Sequence, residues 1–122
     1  MGAVQELTLW AAAPALAQRA AAAAIADVKR IEAKYSRYRG DSVTTAINRA
    51  AGSAPVAIDA ETVALLDYAD RCHQLSGGAF DVTSGVLRRA WDFKRVPSRL
   101  PSPDELAAAV ELIGWARVER GR

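Results

Sequence analysis

The chain has 122 residues and a mass of 13.0 kDa, which is room for one domain at most. Hydrophobic residues make up 51% of it, but 27 of the 122 residues are Ala, and Ala buries little surface per side chain. Cys72 and His73 are single representatives of their kinds. They exclude a disulfide within the chain and a four-ligand Cys/His zinc cluster, and any Ser-His-Asp arrangement would have to use His73. The net charge is +2 and the pI is about 9.0. The 13 Arg residues are spread among 14 acids with no run of five, so the charge pattern describes solvated faces and argues against nucleic-acid binding. The Ala-rich stretch 11–26 carries Pro14, Gln18 and Arg19 and is too short and weakly apolar for a membrane span. Glu6 precedes it and no basic segment does, so a signal peptide is not expected. The expectation is a cytoplasmic protein, or a cell-envelope one if a further segment precedes Met1.

In chain order, residues 4–10 place Leu7 and Leu9 on one face among β-branched and aromatic neighbours, which predicts a strand. Pro14 sits where a helix tolerates it, at the start. No Gly or Pro follows until after Arg37, and Ala24, Val28, Ile31 and Tyr35 form one helical face. Gly40-Asp41-Ser42 breaks that helix, and Asp41 or Ser42 can cap a short helical turn over 42–48. A loop over 48–53 and an extended piece at 55–58 follow. Asp59 reads as the N-cap of a second long helix with Glu61 in its first turn. Leu65, Tyr68, Cys72 and Leu75 form its stripe, and Gly77-Gly78 ends it. His73 is expected at the core edge, and Cys72 as an inert core thiol. Residues 79–85 read as a loop, 86–91 as a helical turn and 95–103 as a Pro-rich connection. Ser102-Pro103-Asp104-Glu105 is a helix start with a capping-box pattern. Leu106, Ala109, Val110 and Ile113 form the apolar face, Gly114 stops it, and 115–119 reads as a second strand. Two strands alone are marginal in water, so the sheet is expected to need partners.

Chemistry concentrates in two segments. In Ser76-Gly77-Gly78-Ala79-Phe80-Asp81-Val82-Thr83-Ser84-Gly85, paired glycines permit a sharp turn or a close ligand approach, and Asp81 and Thr83 put a carboxylate and a hydroxyl at a helix start. The plainer reading is a Gly C-cap followed by an Asp or Thr N-cap. In Tyr35-Ser36-Arg37-Tyr38-Arg39-Gly40-Asp41-Ser42, Tyr35 continues the apolar stripe. Tyr38 either extends the stripe or lies over a pocket, where it can stack on a flat ring.

These segments, in this order, resemble the FAD:protein FMN transferases of the ApbE family. Met1-Gly2-Ala3 resembles the family's Met-Gly-Thr. The Tyr35 to Ser42 string followed by Asn48, the Gly78-Ala79-Phe80-Asp81-Val82-Thr83 string with Gly85, Leu87, Trp91 and Phe93, and Leu112-Ile113-Gly114-Trp115 with Val118 are similar to three later family segments. The resemblance implies an α+β fold: a partial T-fold-like domain, helix-rich in its N-terminal portion, with a few strands. It implies residues 1–122 as the N-terminal part of the transferase domain. It implies FAD as substrate, magnesium, a flavin-acceptor protein, and transfer of FMN to a Thr hydroxyl. Met1, Tyr38, Ala79, Phe80 and Asp81 match cofactor-binding positions. The later family segments, including the Ala-Asp-Ala-x-x-Thr string that supplies magnesium ligands, do not occur here, so no metal ligand is expected in this chain and catalytic residues stay unassigned. Three rival expectations stand beside this one: a non-catalytic flavin-binding or assembly module that pairs with a separate C-terminal half or with itself, an inactive truncated product, and an Arg-rich helical interaction protein.

Overall fold

The computed structural model describes residues 4–91, 96–97 and 99–121. Among them the chain forms four α-helices and two 3-10 segments. They fall into two compact units, Met1–Ile58 and Asp59–Arg122.

In the first unit, helix α1 (Pro14–Tyr35) begins with Pro in its first turn, and Ala13 caps it without a side-chain bond. Its 22 residues are rich in Ala, the best helix former. None of them is buried; Val28 and Ile31 of the expected apolar face stay exposed, as does Ile25 beside it. Helix α2 (Val43–Ala50) starts at Ser42, whose hydroxyl accepts a bond from the Thr45 amide at 3.1 Å. Ser42 is the buried point of this unit, 2% exposed. The turn between α1 and α2 is tied at both ends. The Thr44 hydroxyl donates to the Tyr35 carbonyl at 2.9 Å, and the Thr45 hydroxyl donates to the Arg39 carbonyl at 2.6 Å.

In the second unit, helix α3 (Ala60–Leu75) is capped by Asp59, which accepts from the Thr62 amide at 3.0 Å. A 3-10 helix (Val82–Arg89) follows the glycine turn. Helix α4 (Pro103–Val110) carries the full capping box: the Ser102 hydroxyl accepts from the Glu105 amide, and Glu105 accepts from the Ser102 amide at 2.8 Å. A short 3-10 turn (Trp115–Arg117) follows. The 3-10 helix at Val82–Arg89 packs on α4. Thr62, Ala69, Ala109 and Trp115 form the buried core of the unit.

The α-helices lie where the local signals put them; the first 3-10 helix begins earlier, at Val82 inside the expected loop, and ends at Arg89; and the strands do not form. No strand occurs among the described residues. Residues 4–10 have no ladder partner, and Val4 and Trp10 are 99% and 90% exposed. Of residues 115–119, Trp115–Arg117 form the 3-10 turn, with the Trp115 amide held by the Asp81 carboxylate. The α+β expectation is therefore met here only in its helical portion. The stripe on α3 is also corrected. Leu65, Tyr68 and Leu75 face solvent, and the buried residues of that helix are Thr62 and Ala69. Cys72 is half-buried.

Candidate functional site

Tyr38 belongs to the first unit. The chain leaves α1 at Ser36, whose hydroxyl accepts from the Tyr38 amide at 3.3 Å. The Arg37 guanidinium donates to the Tyr38 hydroxyl at 2.8 Å and lies 4.8 Å from its ring centroid. The ring is 71% exposed. It borders an open depression of ≈ 910 Å³, whose other walls include Val28, Ile31 and Tyr35. Those walls are residues of the α1 stripe, so Tyr38 both continues the stripe and borders the depression. Arg39 pairs with Asp41 at 2.8 Å. The hydrogen bond from Arg39 holds the Asp41 carboxyl below its ordinary pKa and in return raises the guanidinium's own.

Ala79, Phe80 and Asp81 belong to the second unit and follow the end of α3. Gly77 and Gly78 have φ of 61° and 86°, a left-handed conformation that costs any other residue energy. The Gly78 amide donates to the His73 carbonyl at 2.9 Å. The turn then aims Phe80 back at the helix end. The Ser76 hydroxyl accepts from the Phe80 amide at 2.9 Å, and His73 Nδ1 meets the Phe80 carbonyl at 2.8 Å. Both backbone groups of Phe80 are thus gripped by side chains of the last turn and cap of α3, while 46% of the residue stays exposed.

Asp81 sits deeper, its side chain 10% exposed. One carboxylate oxygen accepts from the Thr83 amide at 2.7 Å and the Thr83 hydroxyl at 2.6 Å. The other accepts from the Trp115 amide at 3.0 Å. The Thr83 hydroxyl in turn accepts from the Gly114 amide at 2.9 Å. Burial pushes the Asp81 carboxyl up, but the Thr83 hydroxyl, the Thr83 and Trp115 amides and nearby His73 outweigh it and hold the group below its ordinary pKa. Asp81 is therefore both the N-cap of the Val82–Arg89 segment and a clamp on the Gly114-Trp115 backbone.

A second clamp lies beside it. The Trp115 indole donates to Asp70 at 2.6 Å, and this bond is the main cause of the lowered Asp70 pKa. Arg120 reaches Asp67 at 2.8 Å and Asp70 at 3.3 Å and covers the Trp115 ring at 5.4 Å. Sequence reasoning missed Asp70, Asp81 and Arg120 as partners of Trp115. Asp70 and Trp115 are 45 positions apart, and no local pattern marks that pairing. Met1 and Phe93 lie outside the described residues.

The donor set does not fit a magnesium site. Among the described residues no group of three or more His, Cys, Asp or Glu side chains is placed to hold a metal ion. The carboxylates of Asp70 and Asp81 face hydrogen-bond donors, where a cation needs open oxygen ligands. No helix among the described residues is long and apolar enough to cross a membrane.

Residues 1–122 match the profile described as the ApbE family, and the chain belongs to that family. Three curated relatives carry the name FAD:protein FMN transferase. The one from Treponema pallidum is 36% identical over 87 residues, covering 71% of this chain and 24% of the relative. Those from Chlamydia pneumoniae and Vibrio cholerae are 30% and 32% identical, covering 74% and 71% of this chain and 29% and 27% of theirs. The crystal structure of the Pseudomonas stutzeri flavinyl transferase ApbE in its apo form superposes with a TM-score of 0.62 at 25% identity, over 84% of this chain and 32% of that one. The chain thus spans about a quarter to a third of the length of these relatives.

Proposed function

We propose that these residues are the N-terminal, flavin-facing part of an FAD:protein FMN transferase, in which Met1, Tyr38, Ala79, Phe80 and Asp81 are the positions that serve flavin binding. The observation that carries this reading is the Phe80 turn. A ring left half exposed on a backbone held at both its amide and its carbonyl is preorganised for stacking. Membership of the family supports the same assignment. Asp81 serves the flavin indirectly in this reading, by fixing the loop, because its carboxylate is already taken by Thr83 and Trp115.

In the reaction, the Thr hydroxyl oxygen of an acceptor protein bonds to the FMN phosphorus of FAD. The pyrophosphate bond breaks, AMP leaves with the bridging oxygen, and the hydroxyl proton passes to a base. Magnesium supplies charge neutralisation on the pyrophosphate when bound. Its ligands and the base are expected from polypeptide outside residues 1–122. What this chain does is bind and orient the isoalloxazine end.

Two measurements test the reading. Titration of FAD into the 122-residue chain is expected to quench flavin fluorescence, and Tyr38→Ala and Phe80→Ala each to weaken the quenching; no quenching in the unsubstituted chain refutes the flavin assignment. Incubation with FAD, magnesium and a Thr-containing acceptor peptide is expected to give no covalent flavin. A flavin-labelled peptide formed by this chain alone would refute the division of labour.

A further inference from the structure

We infer that His73 is a positioning residue that holds the Phe80 turn in its flavin-presenting form through a proton resident on Nδ1. The inference rests on the reading of Phe80 as a flavin contact. Its geometric content stands independently. His73 Nδ1 lies 2.8 Å from the Phe80 carbonyl oxygen. A carbonyl oxygen only accepts, so the proton of this bond belongs to Nδ1, and the neutral imidazole is the Nδ1–H tautomer. Nε2 is then the nitrogen without a proton. It lies toward Gly78, where a Cβ would stand 3.9 Å from it.

The placement is local and specific. His73 is in the last turn of α3, and its own carbonyl accepts from the Gly78 amide at 2.9 Å and from the Ser76 hydroxyl at 3.1 Å. The backbone of His73 therefore fixes the start of the turn and its ring fixes the far side. Two left-handed glycines separate them, and such a turn has little steric reason of its own to stay put. Ser76 grips the Phe80 amide, and His73 grips the carbonyl of the same residue. Remove either and the peptide plane that leads into Asp81 can rotate. That plane sets both the direction of the Phe80 ring and the register of the Asp81 carboxylate on Thr83 and Trp115. His73 Nδ1 is also 3.7 Å from Asp81, beyond hydrogen-bond distance, so the carbonyl is its bonded partner.

The decisive variants are His73→Asn and His73→Leu. The Asn side-chain nitrogen stands at the same branch point as Nδ1 and donates, and Asn and His have similar helix propensities. Leu fills the space and cannot donate. In the 122-residue chain at about pH 8, above the ordinary imidazole range, long-range 15N–1H correlation is expected to place the His73 ring proton on Nδ1. Hydrogen exchange of the Phe80 and Thr83 amides, bonded to Ser76 and Asp81, is expected to quicken in H73L and to return to the unsubstituted rate in H73N, with far-UV circular dichroism unchanged. FAD affinity, read by fluorescence quenching, is expected to fall about tenfold in H73L, the equivalent of one neutral hydrogen bond, and to recover in H73N. A proton on Nε2, or an H73N variant as impaired as H73L, overturns the inference. If the unsubstituted chain does not bind FAD, the flavin reading fails, and the tautomer and exchange results still decide the role of His73. If it binds FAD and H73L binds equally well, the inference fails and the flavin reading stands.

Discussion

Replacing Asp81 by Asn removes one oxygen and the charge while keeping the shape. Three donors now converge on the carboxylate: the Thr83 amide and hydroxyl on one oxygen, and the Trp115 amide on the other. The Asn side chain satisfies the larger group best with its oxygen toward Thr83. Its NH2 then meets the Trp115 amide, donor against donor. Trp115 is buried, so an orphaned amide there costs about 1–3 kcal/mol, and the two remaining bonds weaken from about 1.5–3 to about 0.5–1.5 kcal/mol each. Taken at the low end of each range, the sum is roughly 3 kcal/mol, a large share of the total stability of a chain this long. With a urea m value of about 1–1.5 kcal/mol/M, the unfolding midpoint of D81N is expected to fall by about 2–3 M. Tryptophan fluorescence against urea reads it. The pH dependence supplies a sign. Asp81 is depressed in the folded chain, so its contribution is full above the unfolded carboxylate range of about 4 and is lost as pH falls through the folded value. The gap between D81N and the unsubstituted chain is therefore expected to narrow on acidification. A midpoint shift below about 0.5 M, or a gap that widens toward acid, would refute the clamp.

Three further outcomes follow from the same geometry. Ser102→Ala removes the N-cap of α4 and is expected to cost about 1 kcal/mol, measured by thermal unfolding. Glu105 is held down to about 2 by Arg99 and the Ser102 amide; carboxyl NMR titration is expected to find it ionised well below its neighbours, with its stabilising effect present above the ordinary carboxylate range and lost as pH approaches that value. Gly78→Ala forces a Cβ onto a left-handed residue and is expected to cost about 1 kcal/mol. Gly85→Ala, with open space around it, is the matched control and is expected to change thermal stability by less than about 0.5 kcal/mol.

The parts of this fold that could be read in advance are those whose causes lie within four residues. Pro14 opens α1, Asp59 caps α3, and Ser102 with Glu105 opens α4. The last two are local bonds between a side chain and a neighbouring amide, and Pro14 acts through its fixed φ. The strands were misread because a strand is a relation between segments, and residues 4–10 have none to pair with among those described. Asp81 left two readings open, cap or ligand contact. It is a cap, and its second oxygen reaches an amide 34 positions away, which no spacing rule encodes. The grip of His73 on Phe80 was equally hidden, because it exists only once Gly77 and Gly78 take positive φ.

The same reasoning bears on the apolar residues left in solvent. The chain exposes 9868 Å², where a monomer of this mass folded around one core exposes about 6300 Å², and two separate compact units of half the mass about 7600 Å² in all. Val28 and Ile31 on α1, Leu65 and Tyr68 on α3, and Val110 after Ala109 on α4 contribute to the excess. Against an unfolded surface of about 19,000 Å², folding buries about 9000 Å² here and about 12,500 Å² in a fully compact chain. Because the urea m value scales with the area exposed on unfolding, the isolated chain is expected to show an m value about 0.7 of that of compact single-core proteins of equal length. It is also expected to bind the dye ANS in its native buffer. An m value at the full compact figure, with no ANS binding, would mean that these faces pack within the chain or between copies of it. If two copies pack, the unfolding midpoint is expected to rise with protein concentration, which a dilution series reads directly.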